Sequence, residues 1–292
     1  MIPDPSREHD RLKGFADLYL EALKRRTPYE LPISHNLKVT ENAQRIALGT
    51  GLWRTVRGLR DGGQYFVDVE RGQVAFWGVI EEIRGEALYG VRLRVESRLI
   101  TEIESLLVRG SDYFEPDVIV ADGSEMHAVL PREDRLTRAE LKAMAKTYFD
   151  AIEQLAGDLV PAREGMVRLV NGTSDSSVTR PGLSEREQYL TLDVSSQITE
   201  KHFHYIESVR DRRVAIVDER RGIAHCVIMF DHPGDIEKPA NGIPFGSPNS
   251  MLCFEVFKAS KLGLLEVWAI GTALPFGCPS GWTTPPVGWG SE

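Results

Sequence analysis

The sequence predicts an α+β protein made of two tandem copies of one domain, each with N-terminal helices packed on a curved antiparallel sheet. Three observations support this fold. The chain repeats itself in ordered blocks, an amphipathic helix opens each half, and strand patterns separated by turn residues follow in both halves. Helices with one apolar face must cover a sheet to bury that face. We expect the first copy at residues 1–125 and the second at residues 126–292.

The first block of the repeat aligns residues 15–42 with residues 144–171 without a gap, at an offset of 129. Tyr19 faces Tyr148 in this alignment. The block therefore relates the first long helix of each half and the segment that follows it.

Two further blocks continue the repeat in the same order. Residues 52–82 align with residues 202–232 at an offset of 150, and residues 93–107 align more weakly with residues 255–269 at an offset of 162. Because chance similarity would not keep this order, we infer a duplication. The offset grows only in two stretches rich in Gly, Pro, Ser, Asn and Asp, as loops are: about 172–201 and about 233–250.

The pattern of apolar residues predicts the elements of each copy. Helical spacing predicts a helix over residues 8–26, and a hairpin or short strand pair is expected at 37–48 before a short helix at 50–60. The second copy repeats this order with helices at 138–155 and 201–210. The predicted strands are 64–69, 73–82, 87–96 and 99–108, and then approximately 213–218, 223–231, 250–259 and 263–272.

Composition excludes several classes of function. The net charge is −8 with acidic and basic residues mixed, which argues against nucleic acid as a partner. No run approaches 18 apolar residues, so no membrane span is expected. The N-terminus lacks a secretory signal pattern, and Cys226, Cys253 and Cys278 are odd in number and not in metal-ligand spacing. We therefore expect a reduced, cytoplasmic protein with no disulfide, metal or cofactor.

The element order resembles the nuclear transport factor 2-like superfamily, also called SnoaL-like or ketosteroid-isomerase-like. Residues 19–23, 39–42, 51–53 and 95–103 carry the resemblance, which covers most of both halves. It implies a cone-shaped α+β barrel in each copy. The fold hosts isomerases, dehydratases, lyases, hydrolases and proteins without activity. Among tandem members, the chain is most similar to bacterial proteins proposed to act on lignin-type aromatics, including cofactorless diarylpropane lyases that release formaldehyde.

The resemblance implies a mostly apolar cavity with a few polar groups in each copy. In the first copy it places Glu41, or Asn42 beside it, at the general-base position and Tyr19 at the hydrogen-bond donor position. Tyr89 falls near the second donor, where the family has an acid. A desolvated carboxylate would have a raised pKa, and a phenol would hold an oxyanion. In the alternative interpretation, the tyrosines are core aromatics and Glu41 is a solvated charge.

The second copy differs at these positions. Tyr148 keeps the tyrosine, but Val170 replaces Glu41 and only Asn171 remains as a polar neighbour. His202 replaces a leucine on the predicted helix, with apolar residues four and seven positions later, so it should face inward. Histidine suits proton transfer near neutral pH. The alternative is a core histidine bonded to a backbone carbonyl.

Other polar residues are candidates for substrate binding. Tyr205 follows His202 at a spacing that would let it orient the histidine or the ligand. His204 lies on the opposite face, where solvation is the alternative. His225 replaces Ala75 on a strand and would enter the same cavity. Charges that recur at matched positions fit turns and ion pairs instead: Arg60/Arg210, Asp68/Asp218 and Arg71/Arg221.

Together these residues predict a cofactor-independent lyase that acts on a hydroxylated aromatic small molecule by general acid–base catalysis. The favoured group is His202 with Tyr148 and Tyr205, or Glu41 with Tyr19 if the first copy is the active one. Alternatives are an isomerase or dehydratase, a binding protein without turnover, and a hydrolase, which would need an Asp–Arg–Asp set inside one cavity. By analogy with the fold, we expect a homo-oligomer.

Overall fold

Two units of helix and sheet follow one another along the chain. The computed structural model describes residues 5–110, 114–121, 125–179, 181–236 and 246–282. The first unit begins with the long helix α1 (Pro5–Arg25) and a 3₁₀ turn at Pro28–Glu30. Its remaining elements are β1 (Ile33–Glu41), β2 (Gln44–Arg45), α2 (Leu52–Thr55), β3 (Val56–Leu59), β4 (Gln64–Asp68), β5 (Gln73–Glu82), β6 (Gly85–Glu96) and β7 (Leu99–Val108).

The second unit repeats this order after a connecting segment. That segment holds α3 (Pro116–Val120) and 3₁₀ turns at Glu125–His127 and Arg132–Asp134. The elements of the second unit are α4 (Arg138–Gln154), a 3₁₀ turn at Gly157–Leu159, β8 (Ala162–Val170), β9 (Thr173–Ser174), a 3₁₀ helix at Glu185–Thr191, α5 (Val194–Thr199), β10 (Ser208–Asp218), β11 (Ile223–His232), β12 (Asn249–Ser260) and β13 (Gly263–Pro275).

Helix α4 has clear sequence reasons for its ends. Thr137 caps its start, because the Thr137 hydroxyl accepts the backbone N–H of Glu140 while the Glu140 carboxylate accepts the backbone N–H of Thr137. Such a cap contributes about 1 kcal/mol. The helix ends at Leu155, which has a left-handed backbone with φ of 51°. This placement buries Tyr148 on the inner face.

The two sheets have the same strand order. The first runs β2-β1-β7-β6-β5, with β3 and β4 both pairing with β5, and the second runs β9-β8-β13-β12-β11-β10. This shared order matches the repeat in the sequence. The sheets are mixed and not purely antiparallel as predicted, because β1 runs parallel to β7 and β8 runs parallel to β13. In each copy the first and last strands are far apart along the chain, so they pair side by side without a hairpin between them.

Asn42 and Asn171 turn the chain in the same way at the ends of β1 and β8. Both have left-handed backbones, with φ of 46° and 50°. The Asn42 backbone N–H donates to the Ser105 carbonyl at 2.9 Å, and that of Asn171 donates to the Ala269 carbonyl at 2.8 Å. The two turns are therefore equivalent, and Ser105 corresponds to Ala269.

This equivalence corrects the third block of the alignment. Ser105 pairs with Val91 across the first sheet, and Ala269 pairs with Glu255 across the second. Glu255 therefore corresponds to Val91, and the offset is 164 and not 162. The predicted alignment was wrong by two residues in this block.

One predicted helix, at 201–210, is absent, and another, at 50–60, is shorter than expected. Residues 201–205 form turns, because Lys201 adopts a left-handed φ of 62° that ends the helical segment, and strand β10 then starts at Ser208. Helix α2 covers only Leu52–Thr55, since Val56 is extended and begins β3. The other predicted helices and strands are found within a few residues of their expected bounds.

The two sheets also pack against each other. One apolar cluster lies under each sheet and a third lies between them. A Cβ at Gly90 would lie 2.7 Å from the Ile270 side chain and 2.8 Å from that of Phe254, so the sheets approach closely here. Strand β7 contacts its counterpart β13, and β4 contacts its counterpart segment in β10. An element that meets its own equivalent is the pattern of a twofold relation.

The C-terminal segment returns to the first sheet through Trp282. Its indole N–H donates to the Thr40 hydroxyl at 2.8 Å. Three cationic groups lie over the indole ring: the Lys38 ammonium at 4.0 Å, the Arg92 guanidinium at 4.8 Å and the Arg213 guanidinium at 5.5 Å from the ring centroid. Since Arg213 belongs to the second unit, Trp282 joins the two units. Across the described residues, none of the helices is long and apolar enough to span a membrane.

Candidate active site

A cavity of about 490 Å³ lies between α4, the inner face of the second sheet and the turn that follows α5. Val108 and Gly110 of the first unit also line it. Apolar walls surround a group of polar side chains, which is the usual form of a small-molecule site. The polar side chains that line the cavity include Tyr148, Arg168, Asp175, Tyr189, His202, Tyr205 and Glu255.

Arg168 and Asp175 form an ion pair in this cavity. The Arg168 Nη2 lies 3.1 Å from the Asp175 Oδ2, and each side chain is 13% exposed. The Arg168 guanidinium also stacks over the Phe203 ring at 4.7 Å. The backbone N–H of Asp175 donates to the Arg168 carbonyl, as that of Ile46 donates to the Val39 carbonyl in the first copy. The ion pair therefore replaces an apolar Val–Ile pair.

The charges of this pair affect each other. Burial raises the pKa of Asp175, and the positive charge of Arg168 partly offsets the rise. Burial alone would lower the pKa of Arg168, but Asp175 and the other acidic groups raise it above its ordinary value. The Arg168 Nε and Nη1 and the Asp175 Oδ1 are buried without a hydrogen-bond partner among the residues that the structure describes. Each side chain of the pair thus keeps hydrogen-bonding capacity that the described residues do not use.

Glu255 is the third charged residue of the cavity and projects from β12. Glu255 is 3% exposed, and its Oε2 atom has no hydrogen-bond partner in the described part of the chain. Burial raises the pKa of Glu255 to about 8, although the charge of Arg168 lowers it. A carboxyl with this pKa exchanges its proton near neutral pH.

Tyr148 supplies an uncommitted phenol. In the first copy, the Tyr19 and Tyr89 hydroxyls bond each other at 2.9 Å. The register of the sheets places Cys253 where Tyr89 lies, so Tyr148 has lost that partner. Its buried hydroxyl makes no hydrogen bond with any described residue, and burial raises the pKa of Tyr148 far above its ordinary value. The proton therefore stays on the phenol and is free for a ligand.

His202 lies in the cavity wall, although on a turn and not on the predicted helix. It is 8% exposed and stacks on the Tyr189 ring, with centroids 5.3 Å apart and an interplanar angle of 25°. The His202 Nε2 lies 3.6 Å from a Glu200 carboxylate oxygen. Tyr205 contacts the His232 ring edge-on at 5.3 Å. These rings offer flat apolar surface with polar edges.

Gln197 fixes two walls of the cavity relative to each other. Its side-chain amide donates to the Asp175 carbonyl at 2.7 Å and to the Tyr189 carbonyl at 3.0 Å. Asp193 caps the helix that carries Gln197, by accepting the backbone N–H of Ser196 at 2.9 Å. The acidic residue and the aromatic stack are therefore held by one buried amide.

Two predicted histidines lie outside the cavity. His225 is buried between the sheets, where its Nε2 accepts the indole N–H of Trp77 at 3.1 Å. Burial lowers the pKa of His225 to about 3, so it is a neutral core residue. His204 lies on the turn with its Nδ1 2.8 Å from the Lys201 carbonyl oxygen, and it does not line the cavity.

The two candidate asparagines are turn residues. The Asn42 side-chain amide donates to the Leu107 carbonyl at 3.1 Å and its oxygen accepts the Leu107 N–H at 2.7 Å. Asn171 makes the same two bonds with Gly271 at 3.2 and 2.8 Å. Asn171 does line the cavity, but its amide is already used by the neighbouring strand. Neither side chain is free to bind a substrate.

In the first copy, Glu41 lies near Tyr19 and Tyr89. Burial raises the pKa of both tyrosines, and the negative charge of Glu41 contributes to the rise. The Glu41 carboxylate accepts the backbone N–H of Leu52 at 2.9 Å, and burial raises its pKa. Tyr19 packs edge-on against Trp53 at 5.6 Å, and both it and Tyr89 belong to the apolar core. A depression of about 650 Å³ at Arg26, Pro28, Tyr29, Trp53 and Arg54 includes none of the three candidate residues.

Sequence reasoning missed Arg168, Asp175 and Glu255. The signal was present, because each is a charged residue aligned with an apolar residue of the other copy. Arg168 lies inside the gapless first block, and Asp175 lies four positions beyond its end at the same offset. In the residues that the structure describes, no three His, Cys, Asp or Glu side chains are grouped as a metal site requires.

Comparison with known proteins gives a family match over part of the chain and a similar solved structure. A family described as a domain of unknown function, DUF8021, matches residues 134–269, which contain the ion pair, Tyr148 and Glu255. No curated protein matches the chain. Among solved structures, the chain is similar to a de novo designed protein with a curved β-sheet, at 13% identity and a TM-score of 0.29, over 34% of this chain and 86% of that one.

Proposed function

We propose that the cavity under the second sheet, here called the C-terminal cavity, is the active site of a cofactor-independent lyase. The enzyme acts on a hydroxylated aromatic small molecule by general acid–base catalysis. One observation carries the proposal: the buried carboxyl of Glu255 faces the same cavity as the phenol of Tyr148, which has no hydrogen-bond partner among the described residues. A carboxyl with a pKa of about 8 both takes and returns a proton near neutral pH. The stacked rings of Tyr189 and His202 favour a flat, largely apolar ligand.

In the proposed reaction, the Glu255 carboxylate takes the proton of a substrate hydroxyl. The oxygen forms the C=O bond of formaldehyde as the adjacent C–C bond breaks. The electron pair of that bond forms a C=C bond and expels a hydroxyl group from the next carbon. The leaving hydroxide takes the proton from Glu255 and departs as water, so the carboxylate is regenerated. Tyr148 donates a hydrogen bond to the oxygen on which negative charge develops.

The same proposal extends to the fold family of the two halves. We assign each half to a cone-shaped barrel of the nuclear transport factor 2-like kind, with the division near residues 125 and 126. A long helix, a hairpin beside the last strand and a cavity under the second sheet support this assignment. A homo-oligomer remains a prediction that rests on analogy with that fold.

A second candidate is the hydrolysis of an epoxide. The observation that favours it is a guanidinium, Arg168, in one cavity with two carboxyl groups, Asp175 and Glu255. In that reaction the Asp175 carboxylate takes a proton from water while the water oxygen attacks an epoxide carbon. The C–O bond breaks, and the Glu255 carboxyl donates its proton to the epoxide oxygen to give a diol. Solvent then carries the proton from Asp175 back to Glu255. Burial raises the pKa of both carboxyl groups.

The test is a panel of aromatic 1,2- and 1,3-diols and aromatic epoxides, assayed for formaldehyde, for loss of water and for diols. Glu255→Gln removes the proposed acid–base group, and Glu41→Gln is its matched control in the first copy. We expect formaldehyde from the wild type and from Glu41→Gln, and a loss of about 10²–10⁴-fold in Glu255→Gln.

Other outcomes separate the alternatives. Diols formed from epoxides favour the hydrolase, and isomerised or dehydrated products without formaldehyde favour an isomerase or dehydratase. Saturable binding without any product identifies a binding protein. Activity that is lost in Glu41→Gln and kept in Glu255→Gln moves the site to the first copy and refutes the proposal.

A further inference from the structure

We propose that Arg168 is a catalytic residue that holds the negatively charged oxygen formed during turnover, and that Asp175 is the positioning residue that aims it. This inference rests on the proposed function of the C-terminal cavity. In this role, the positive charge of Arg168 stabilises the substrate oxygen that loses its proton.

The hydrogen-bond capacity of Arg168 exceeds what the protein uses. A guanidinium has five N–H donors. Asp175 faces Nη2 at 3.1 Å, whereas the buried Nε and Nη1 have no acceptor among the described residues. Buried donors are nearly always paired, so unpaired ones beside a cavity indicate a missing acceptor. An oxygen of the bound substrate would supply it.

The Arg168 guanidinium is held in place before any ligand binds. Phe203 supports one face of its plane at 4.7 Å. Asp175 fixes one end, and the Asp175 backbone is itself held by the Gln197 amide at 2.7 Å. Donors that are fixed in advance need no reorganisation when charge develops, which makes them effective in catalysis.

The first copy indicates that the fold does not need this ion pair. The same hairpin forms there with Val39 and Ile46 at the two positions, and the backbone bond between them is kept. Two buried charges are costly to desolvate, and an apolar pair of similar size is often as stable or more so. A function is therefore the better reason for Arg168 and Asp175 to lie in the cavity.

The charges balance during the proposed reaction. When the substrate hydroxyl gives its proton to the Glu255 carboxylate, the negative charge moves from Glu255 to the substrate oxygen. Arg168 and Asp175 keep their charges, so the total charge of the cavity does not change. In a cavity of low polarity, the new negative charge is stabilised most by a fixed cation close to it.

The experiment uses 4-nitrophenol, whose phenolate absorbs at a longer wavelength than its neutral form and mimics the oxyanion. Titrations of the full-length protein would measure the ionisation midpoint of the bound probe. We expect the wild type to prefer the phenolate about tenfold, which lowers the midpoint by about one pH unit. Arg168→Met should abolish this preference, and Arg220→Met, at an exposed position outside the cavity, should keep it.

Two more variants guard against misfolding and test Asp175. The double variant Arg168→Val with Asp175→Ile restores the pair found in the first copy, so it should fold and bind the probe without preference for the phenolate. Asp175→Asn keeps a hydrogen-bond acceptor and should retain part of the preference, whereas Asp175→Ala should lose it. Turnover in the Asp175 variants should fall through kcat with little change in KM.

Two results would overturn the inference: an unchanged phenolate preference in Arg168→Met, or wild-type protein that takes up only neutral 4-nitrophenol or none. The probe needs no turnover, so these results are independent of the diol assay. If Glu255→Gln keeps full turnover, the proposed function fails. If only the probe shift is missing, the role of Arg168 fails alone.

Discussion

Glu255 occupies in the second sheet the position that Val91 occupies in the first. Both are buried, but Val91 packs in an apolar core, whereas Glu255 faces a cavity. Two further apolar positions of the first copy carry Arg168 and Asp175 in the second. The same arrangement of helix and sheet therefore encloses a packed apolar core in the first copy and a cavity with ionisable residues in the second.

The buried Glu255 carboxyl should make stability depend on pH. Its pKa in the folded protein is about 8, above the ordinary value of 4.5. The folded state thus binds more protons than the unfolded state between these values, and the free energy of unfolding falls as pH rises through this range. Urea unfolding of the wild type and Glu255→Gln at several pH values measures the effect. If both proteins show the same dependence, Glu255 does not have a raised pKa.

His225 should affect stability in the opposite direction. Its pKa of about 3 in the folded protein lies below the ordinary value of 6.5. The unfolded state therefore binds more protons in this range, and stability contributed by neutral His225 is lost as pH falls from 6.5 towards 3. His225→Gln keeps an acceptor for the Trp77 indole and should reduce the loss. Equal acid sensitivity of variant and wild type in thermal unfolding would contradict this.

The two equivalent tyrosines should respond differently to removal of the hydroxyl. Tyr19→Phe breaks the bond to Tyr89 and leaves that buried hydroxyl unpaired, so it should lower the free energy of unfolding by about 1–3 kcal/mol. Tyr148→Phe removes a hydroxyl that no described residue bonds, so it should change stability little. Turnover of the hydroxylated aromatic should instead fall in Tyr148→Phe. Chemical denaturation and the diol assay together measure both effects, and a reversed pattern refutes the assignment.

His202 and His204 form a matched pair for the cavity wall. His202→Ala removes the ring that stacks on Tyr189 and should weaken binding of the aromatic ligand by about 0.5–1.5 kcal/mol, the usual worth of such a ring pair. His204→Ala lies two residues away and outside the cavity, so it should bind like the wild type. Calorimetric titration with 4-nitrophenol gives the comparison. Equal affinities in the two variants would exclude His202 from ligand contact.

Trp282 should stabilise the contact between the two units. Trp282→Ala removes the bond to Thr40 and the contacts with three cations, so it should cost about 1–3 kcal/mol of unfolding free energy. Phe276→Ala, in the same segment, is the control because Phe276 is 45% exposed. Thermal and urea unfolding of both variants test this. A smaller loss in Trp282→Ala than in the control would contradict it.

The sequence predicted the central strands well because their signals are local. Alternating or continuous apolar runs bounded by turn residues mark β5, β6 and β7 and their counterparts. The parallel pairing of β1 with β7 has no such local signal, since the two strands are separated along the chain by α2 and most of the first sheet. The helix expected at 201–210 fails for a similar reason, because nothing in the sequence marks the left-handed backbone of Lys201.

The candidate site was only partly predictable. Tyr148 and His202 were placed in the cavity wall, although His202 lies on a turn. Glu255 was aligned two residues away from its true counterpart, yet strand side chains repeat every two residues, so the inward face was the same in either register. The alignment could not show how deeply Glu255 is buried. The desolvation that raises the pKa of Glu255 depends on residues from several segments that are distant along the chain.

The twofold relation between the sheets has a consequence for how such a chain is used. Each sheet screens an apolar surface of the other, which includes Phe254 and Ile270. A polypeptide with a single copy would present that surface to water and should self-associate through it. Because the two copies are covalently linked, their contact is intramolecular and does not depend on protein concentration. Each copy can therefore diverge in sequence while the contact between the two sheets is kept.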